Sequence, residues 1–359
     1  IKRWFNIIFK RQAEDTFNVE SIITPEMEKA IEQCAKIYHG QPEWVDEYED
    51  IKTINFAKAL CSETARLVTL GIGIHLEGSA RATWLQQQID LVYSKLRDWV
   101  EYGCAYGTVF LKPNGTSLDV FTPADVLLVD YDNLDVRGII FKDSYQSGKK
   151  WYTRLEYHRF VETVQDGVTL YPYYVSNVSK SAESLGDPVP LAHTKWADMM
   201  EDTPPILKAS GEPLDKPMFG IFRTPQANNV DISSPLGLPI FREAVEELKD
   251  LDIAYSRNAG EIFDSQKIIL ADDRLMYESG QKIKHRGPAD AVGLPHYVKN
   301  VFGNDAKEFY QEINPQLNTD VRIKGINNLL SQIGYKAGFA NGYFVFNESS
   351  GIQTATGVE

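Results

Sequence analysis

The chain has 359 residues, 43% of them hydrophobic, so it can bury more than one core, and its length suggests roughly two or three domains rather than a disordered tail. Asp and Glu outnumber Lys and Arg by 50 to 37, a formal charge of -13 that argues against the tight, static grip on nucleic acid that basic surfaces provide; it is compatible with a channel wall along which DNA slides without sticking. No apolar run approaches the ~18 residues of a membrane span and no signal peptide is evident. The three cysteines, Cys34, Cys61 and Cys104, form no C-x-x-C pair and read as reduced core thiols.

Residues 1–12 form a short basic amphipathic segment with Trp4, Phe5, Ile8 and Phe9 on its apolar side, a pattern shared by membrane-surface helices and by arms that pack on a neighbouring subunit. The acidic remainder of the chain favours the arm. Thr24-Pro25 opens a helix that runs to about Tyr38 and stops at Gly40. A helix over about 55–69 precedes Gly71-Ile-Gly-Ile-His-Leu, which alternates like a strand. A further helix is expected over 83–103, then a strand over 107–112, the junction carrying G-x-A-Y-G at Gly103 to Gly107.

From Leu118 to Tyr174 the pattern is strand after strand, at 118–121, 126–130, 136–142, 151–160 and 169–174, separated by turn signals at Asn114-Gly115, Gly148 and Asp166-Gly167. Successive strands without intervening helices imply an antiparallel sheet. Residues 176–216 are polar and weakly patterned, a surface excursion with some order expected around Trp196 to Met200, and residues 220–225 return as a strand.

Ser234 and Pro235 carry a cap and first-position signal, and the three-four spacing of Leu236, Ile240, Phe241, Val245, Leu248, Leu251, Tyr255 and Ile262 predicts one helix over 235–263, roughly 40 Å long. Glu243, Glu246, Glu247 and Asp250 fall on its other side. A strand at 266–271, a small mixed module to Pro315 with a strand at Val301-Phe302, and a second amphipathic helix follow. Ile323, Ile326, Leu330, Ile333 and Ala337 mark that helix, with Thr319 as its cap. Tyr343-Phe344-Val345-Phe346 then reads as a strand, and Asn347 to Glu359 as a loop.

This series, S-P-L-G before a long helix, a module of about fifty residues, a second helix, an aromatic strand and S-G-I-Q-T-A-T-x-V, resembles the portal proteins of tailed bacteriophages over most of the chain. Thr354, Ala355, Thr356 and Val358 match the family's T-A-T-E-V, with Gly357 in place of the usual glutamate. The resemblance implies an α+β chain with an N-terminal arm and mixed α/β wing (1–230), a first stem helix (231–265), a small α/β clip (266–316), a second stem helix (317–337), and a strand and tunnel loop (338–359). The helical crown that usually follows is absent from this chain.

It also implies a ring of about twelve copies at one capsid vertex, assembled in the host bacterial cytoplasm and then part of the virion, with double-stranded DNA passing through its centre. Its partners would be terminase and the head-tail adaptor, docking on the clip, and the major capsid and scaffolding proteins, with no membrane and no cofactor. Ser349, Ser350, Gly351, Gln353, Thr354 and Thr356 would face the DNA. Glu243, Glu246, Glu247 and Asp250 would line the channel, a reading that stands level with an ordinary solvated helix face. Phe241, Val245, Leu248, Ile326, Leu330 and Ile333 would pack the stem.

Two other readings compete. One is a different phage structural or adaptor protein. The other is a metal-dependent DNA-processing enzyme built on the carboxylate group Asp130, Asp132 and Asp135. Asn133 among these aspartates is what a strand-connecting turn looks like, and the stretch lacks the glycine and distal glutamate of a calcium loop. Gly71-Ile-Gly lacks a third dinucleotide-fingerprint glycine, no phosphate-binding loop or nucleophile elbow occurs, and the six histidines are scattered. The sequence therefore predicts no enzymatic activity and no metal.

Overall fold

The computed structural model describes residues 2–47, 51–114, 117–165, 168–170, 173–181, 186–264, 268–271, 277–278, 281–282, 296–299, 310–313 and 319–346. Its elements are, in chain order, helices α1 (Lys2–Phe17), α2 (Pro25–Tyr38), α3 (Glu43–Glu47), α4 (Phe56–Leu70), α5 (Ala80–Tyr93) and α6 (Leu96–Tyr106), then strands β1 (Thr108–Pro113), β2 (Leu118–Phe121), β3 (Val126–Asp132), β4 (Asp135–Ser147), β5 (Lys150–Phe160), β6 (Thr163–Gln165), β7 (Val168–Leu170), β8 (Tyr173–Ser181) and β9 (Gly220–Arg223). Helix α7 (Val245–Asp264), strands β10 (Ile268–Ala271), β11 (Tyr277–Glu278), β12 (Gln281–Lys282), β13 (His296–Lys299) and β14 (Tyr310–Ile313), and helix α8 (Thr319–Lys336) complete the chain. The fold is mixed α+β. It divides into two compact units, residues 1–42 with 55–243, and residues 43–54 with 244–359.

The first unit is built on an antiparallel sheet in the order β3-β4-β5-β8 and a smaller one in the order β2-β1-β9. Alternation along the strands sends side chains to two separate cores. Ile139 and Phe141 of β4 join Phe110, Phe121, Phe219, Leu236 and Leu238, while Ile140, Leu155 and Tyr157 pack with Leu127 and with Ala13 and Phe17 of α1. The N-terminal helix thus covers one face of the four-stranded sheet. Helix α2 begins at Pro25 as predicted, but Thr24 caps nothing with its side chain; its hydroxyl donates to Asp231 Oδ2 at 3.1 Å.

Residues 176–181, expected to open the surface excursion, instead continue β8 against β5. Two further expectations in this unit fail for local reasons. Residues 72–76 form no strand because side chains of α5 take up their backbone groups: Gln86 accepts from Leu76 N–H at 2.8 Å and donates to the Ile74 carbonyl at 3.2 Å, and the Tyr93 hydroxyl donates to the Ile72 carbonyl. The helix expected over 83–103 is two helices, α5 and α6, broken at Ser94-Lys95.

The largest correction concerns the long central helix. Residues 235–241 are not helical; a 3-10 turn at Arg242–Ala244 leads into α7, whose 20 residues span about 30 Å instead of 40. Pro239 removes a backbone donor and disfavours helical geometry at Leu238. The segment instead bonds within the first unit: Gly237 N–H donates to Thr108 Oγ1 at 2.8 Å, Ile240 N–H to the Cys104 carbonyl at 3.0 Å, and Thr224 Oγ1 to the Leu238 carbonyl at 2.7 Å. Gly107, at φ +76, and Gly237 let two backbones cross, since a Cβ on Gly237 would lie 2.5 Å from the Gly107 carbonyl oxygen. Leu236, Ile240 and Phe241, which suggested a helix, are buried in this non-helical run, together with Leu238.

In the second unit α7 and α8 pack against one another. Lys336 at the end of α8 pairs with Glu247 at the start of α7, so the helices run antiparallel. Strand β10 pairs in parallel with β13 and antiparallel with β14, and β11 pairs with β12. The strand expected at Val301-Phe302 lies outside the described residues. Residues 343–346 form no strand. The Asn327 side chain binds both the N–H and the carbonyl of Phe346, and Phe344 packs edge to face on Phe339 and Tyr343, so the aromatic run packs on itself beside α8.

Candidate functional site

Helix α7 buries Val245, Leu248 and Leu251, and α8 buries Ile326, Leu330 and Ile333, the three-four repeats that predicted both helices. Phe241 is also buried but lies ahead of α7, in the turn that leads into it. Because the helices are antiparallel, the end of α7 and the start of α8 lie at one end of the pair.

The four stem carboxylates occupy three different settings. Glu243 sits in the 3-10 turn, where Oε1 accepts from Asn229 Nδ2 at 2.8 Å. Glu247 is half-buried and its Oε1 accepts from Lys336 Nζ at 2.5 Å; burial would raise its carboxyl, but that hydrogen bond outweighs it and holds the pKa below the ordinary range. Glu246 and Asp250 are exposed, one turn apart on the same face of α7. Glu246 also complements the dipole of the helix's first turn, whereas Asp250 lies beyond that turn. The tunnel-loop residues Ser349, Ser350, Gly351, Gln353, Thr354 and Thr356 lie outside the described residues.

Sequence reasoning missed a clamp on α7. Asp252 is buried, accepting from Trp44 Nε1 at 2.8 Å and from Ile54 N–H at 2.9 Å, and burial raises its carboxyl above the usual range. One turn on, Ser256 Oγ accepts from Lys52 N–H at 2.8 Å and donates to its carbonyl. Trp44, Lys52 and Ile54 are thereby fastened along the middle of the helix.

It also missed a buried ionic cluster in the first unit. Glu156 on β5 accepts from Lys112 and Arg154 at Oε2 and from His158 Nε2 at Oε1, the last at 2.7 Å. Lys112 also lies 5.5 Å above the rings of Phe121 and Phe141. Burial would raise the Glu156 carboxyl, but His158, Lys112 and Arg154 outweigh it and hold it at about 2; burial pushes the imidazole of His158 down. The 186–219 excursion covers this face of the sheet through Trp196, which donates to Asp143 Oδ2 at 3.2 Å and lies under the Arg154 guanidinium. Between excursion and sheet runs a cleft of about 240 Å³ lined by Lys112, Glu156, His158, Met199, Met200 and Met218 among others.

Asp130 lies in β3, and Asp132 and Asp135 flank the β3–β4 hairpin turn, whose two central residues, Asn133 and Leu134, sit at φ 50 and 73. Asp132 pairs with Arg137 at 3.3 Å. Among the described residues no three His, Cys, Asp or Glu side chains converge as metal ligands. Cys34, Cys61 and Cys104 are buried free thiols pushed up by burial, Cys34 and Cys104 to about 12. No helix among the described residues is long and apolar enough to cross a membrane. The chain matches no protein-family model, and none of the curated proteins compared with it is similar in sequence.

Proposed function

We propose that this chain is a portal subunit: a ring of about twelve copies at one capsid vertex through which double-stranded DNA enters and leaves. The observation that carries the proposal is the antiparallel α7–α8 pair, bracketing a small strand-containing segment and presenting Glu246 and Asp250 to solvent. The pair serves as the stem, residues 266–316 as the clip that docks terminase and the head-tail adaptor, and residues 349–356 as the loop beside the DNA. An acidic wall repels the phosphates and keeps the duplex sliding. Major capsid and scaffolding proteins surround the assembly in the virion. The protein performs no chemistry of its own, and the energy for DNA movement comes from the terminase.

Negative-stain imaging and mass measurement at low and moderate salt test this. Closed rings with a central hole, of mass near a dozen times 40.6 kDa, are expected. A compact dimer that cleaves DNA with Mg²⁺, and loses that activity on Asp130→Ala and Asp132→Ala substitution, would overturn it.

A further inference from the structure

Lys112 lines the cleft between the 186–219 excursion and the sheet, and its buried ammonium is short of partners. It carries three donors. Among the described residues it makes one hydrogen bond, to Glu156 Oε2, and otherwise lies over the rings of Phe121 and Phe141. Ring faces attract a cation but are weak acceptors. Glu156, by contrast, is satisfied at both oxygens by Lys112, Arg154 and His158. Asp143, the other carboxylate that acts on Lys112, is engaged by Trp196 Nε1 at 3.2 Å and by Lys195 Nζ at 3.6 Å. Burial pushes the ammonium's pKa down, which marks a cation poorly solvated where it stands.

The cleft supplies the rest of a site. Its volume of about 240 Å³ is below the roughly 300–1,000 Å³ of pockets that hold drug-sized ligands, so its occupant is small. Away from the charges its walls are mostly apolar, with Ile206 and the thioethers of Met199, Met200 and Met218, side chains that adapt to an irregular aliphatic body. Lys112 and the Arg154 behind Glu156 oppose a cation, and Glu156 in the same wall opposes a second negative charge on an anion. A single carboxylate fits both limits. We infer that this cleft binds a small aliphatic monocarboxylate, whose oxygens accept from Lys112 Nζ and whose chain lies among the methionines. Asp198, Glu201 and Asp202 of the excursion are exposed, so solvent screens them from an entering anion. The inference does not depend on the proposed ring.

The test is hexanoate titrated into the full chain labelled with ¹³C at the methionine methyls and followed by NMR. The signals of Met199, Met200 and Met218, assigned by substitution to leucine, should move saturably with half-saturation at about 1 mM or below, while Met27 in the core stays put. Hexanamide has the same shape without the charge and should bind at least about tenfold more weakly; Lys112→Met should weaken hexanoate by a similar factor. If that variant loses its fold, Met200→Glu decides instead. Met200 is 60% exposed, so the change is tolerated, and a carboxylate at the mouth of the cleft should weaken hexanoate about fivefold and leave hexanamide unchanged. Methionine signals that hold still up to about 20 mM hexanoate would overturn the site. Equal affinity for hexanamide, or hexanoate binding that survives both substitutions, would overturn the role of Lys112 and with it the inference.

Discussion

The protein carries two concentrations of charge that look alike on paper and differ in physics. On β5, Arg154, Glu156 and His158 are buried with Lys112 around one carboxylate. On α7, Glu246 and Asp250 stand in water. A buried charge is held by its partners, so removing one leaves the others stranded in a poorly solvated interior. An exposed carboxylate contributes almost nothing to the fold and is therefore available to act on something outside it. The burial of the charge, not its density, separates a structural network from a candidate working surface.

The comparison breaks most sharply at Glu156. Glu156→Ala leaves Lys112 and Arg154 without their shared acceptor and should cost about 3–5 kcal/mol in urea unfolding; a loss below about 1 kcal/mol would mean the cluster is hydrated and not structural.

Acid should expose the same contrast. The folded pKa of Glu156, about 2, lies below its ordinary 4.5, so its stabilisation is complete above pH 4.5 and is lost as pH falls toward 2. His158 is likewise lowered, from 6.5, so the folded state resists its protonation and stability falls as pH drops below 6.5. Melting temperatures should fall from pH 7 to 5, and His158→Gln should flatten that part of the curve. A curve of unchanged slope in the variant would contradict the assignment.

A smaller loss is expected at the clamp on α7, where Trp44→Phe removes one of the donors to buried Asp252 and should cost about 1–3 kcal/mol by equilibrium unfolding. The least is expected at the solvent face. A double-mutant cycle on Glu247 and Lys336 should return about 0.5 kcal/mol, and Glu246→Gln with Asp250→Asn should shift stability by no more than ~0.5 kcal/mol while leaving assembly intact.

Local signals carried much of this architecture. Thr24-Pro25 and Gly40 bracketed α2 correctly, the turn signals separated the strands from β1 to β5, and Asn133 marked the hairpin turn. Where non-local contacts decide, the sequence was misleading. The spacing of Leu236, Ile240 and Phe241 suits a helix, but crossing backbones at Gly107 and Gly237 hold the run out of helical geometry. Arg154, Glu156 and His158 alternate on β5 as a solvent-facing stripe would, and only the distant 186–219 excursion buries them. That alternation of two charges and a histidine opposite Leu155 and Tyr157 was the available signal, and it does not say which face is covered. The candidate stem was legible as two helices, whereas the pairing of Glu247 with Lys336 required the structure.

The most direct measurement places α7 in the assembly. Asp250→Cys, labelled with a small maleimide gold cluster, can be imaged in the assembled protein, since the natural thiols are buried. Gold density on the inner wall of a closed ring is the predicted result. Gold on the outer rim, or an assembly with no central hole, would contradict the channel.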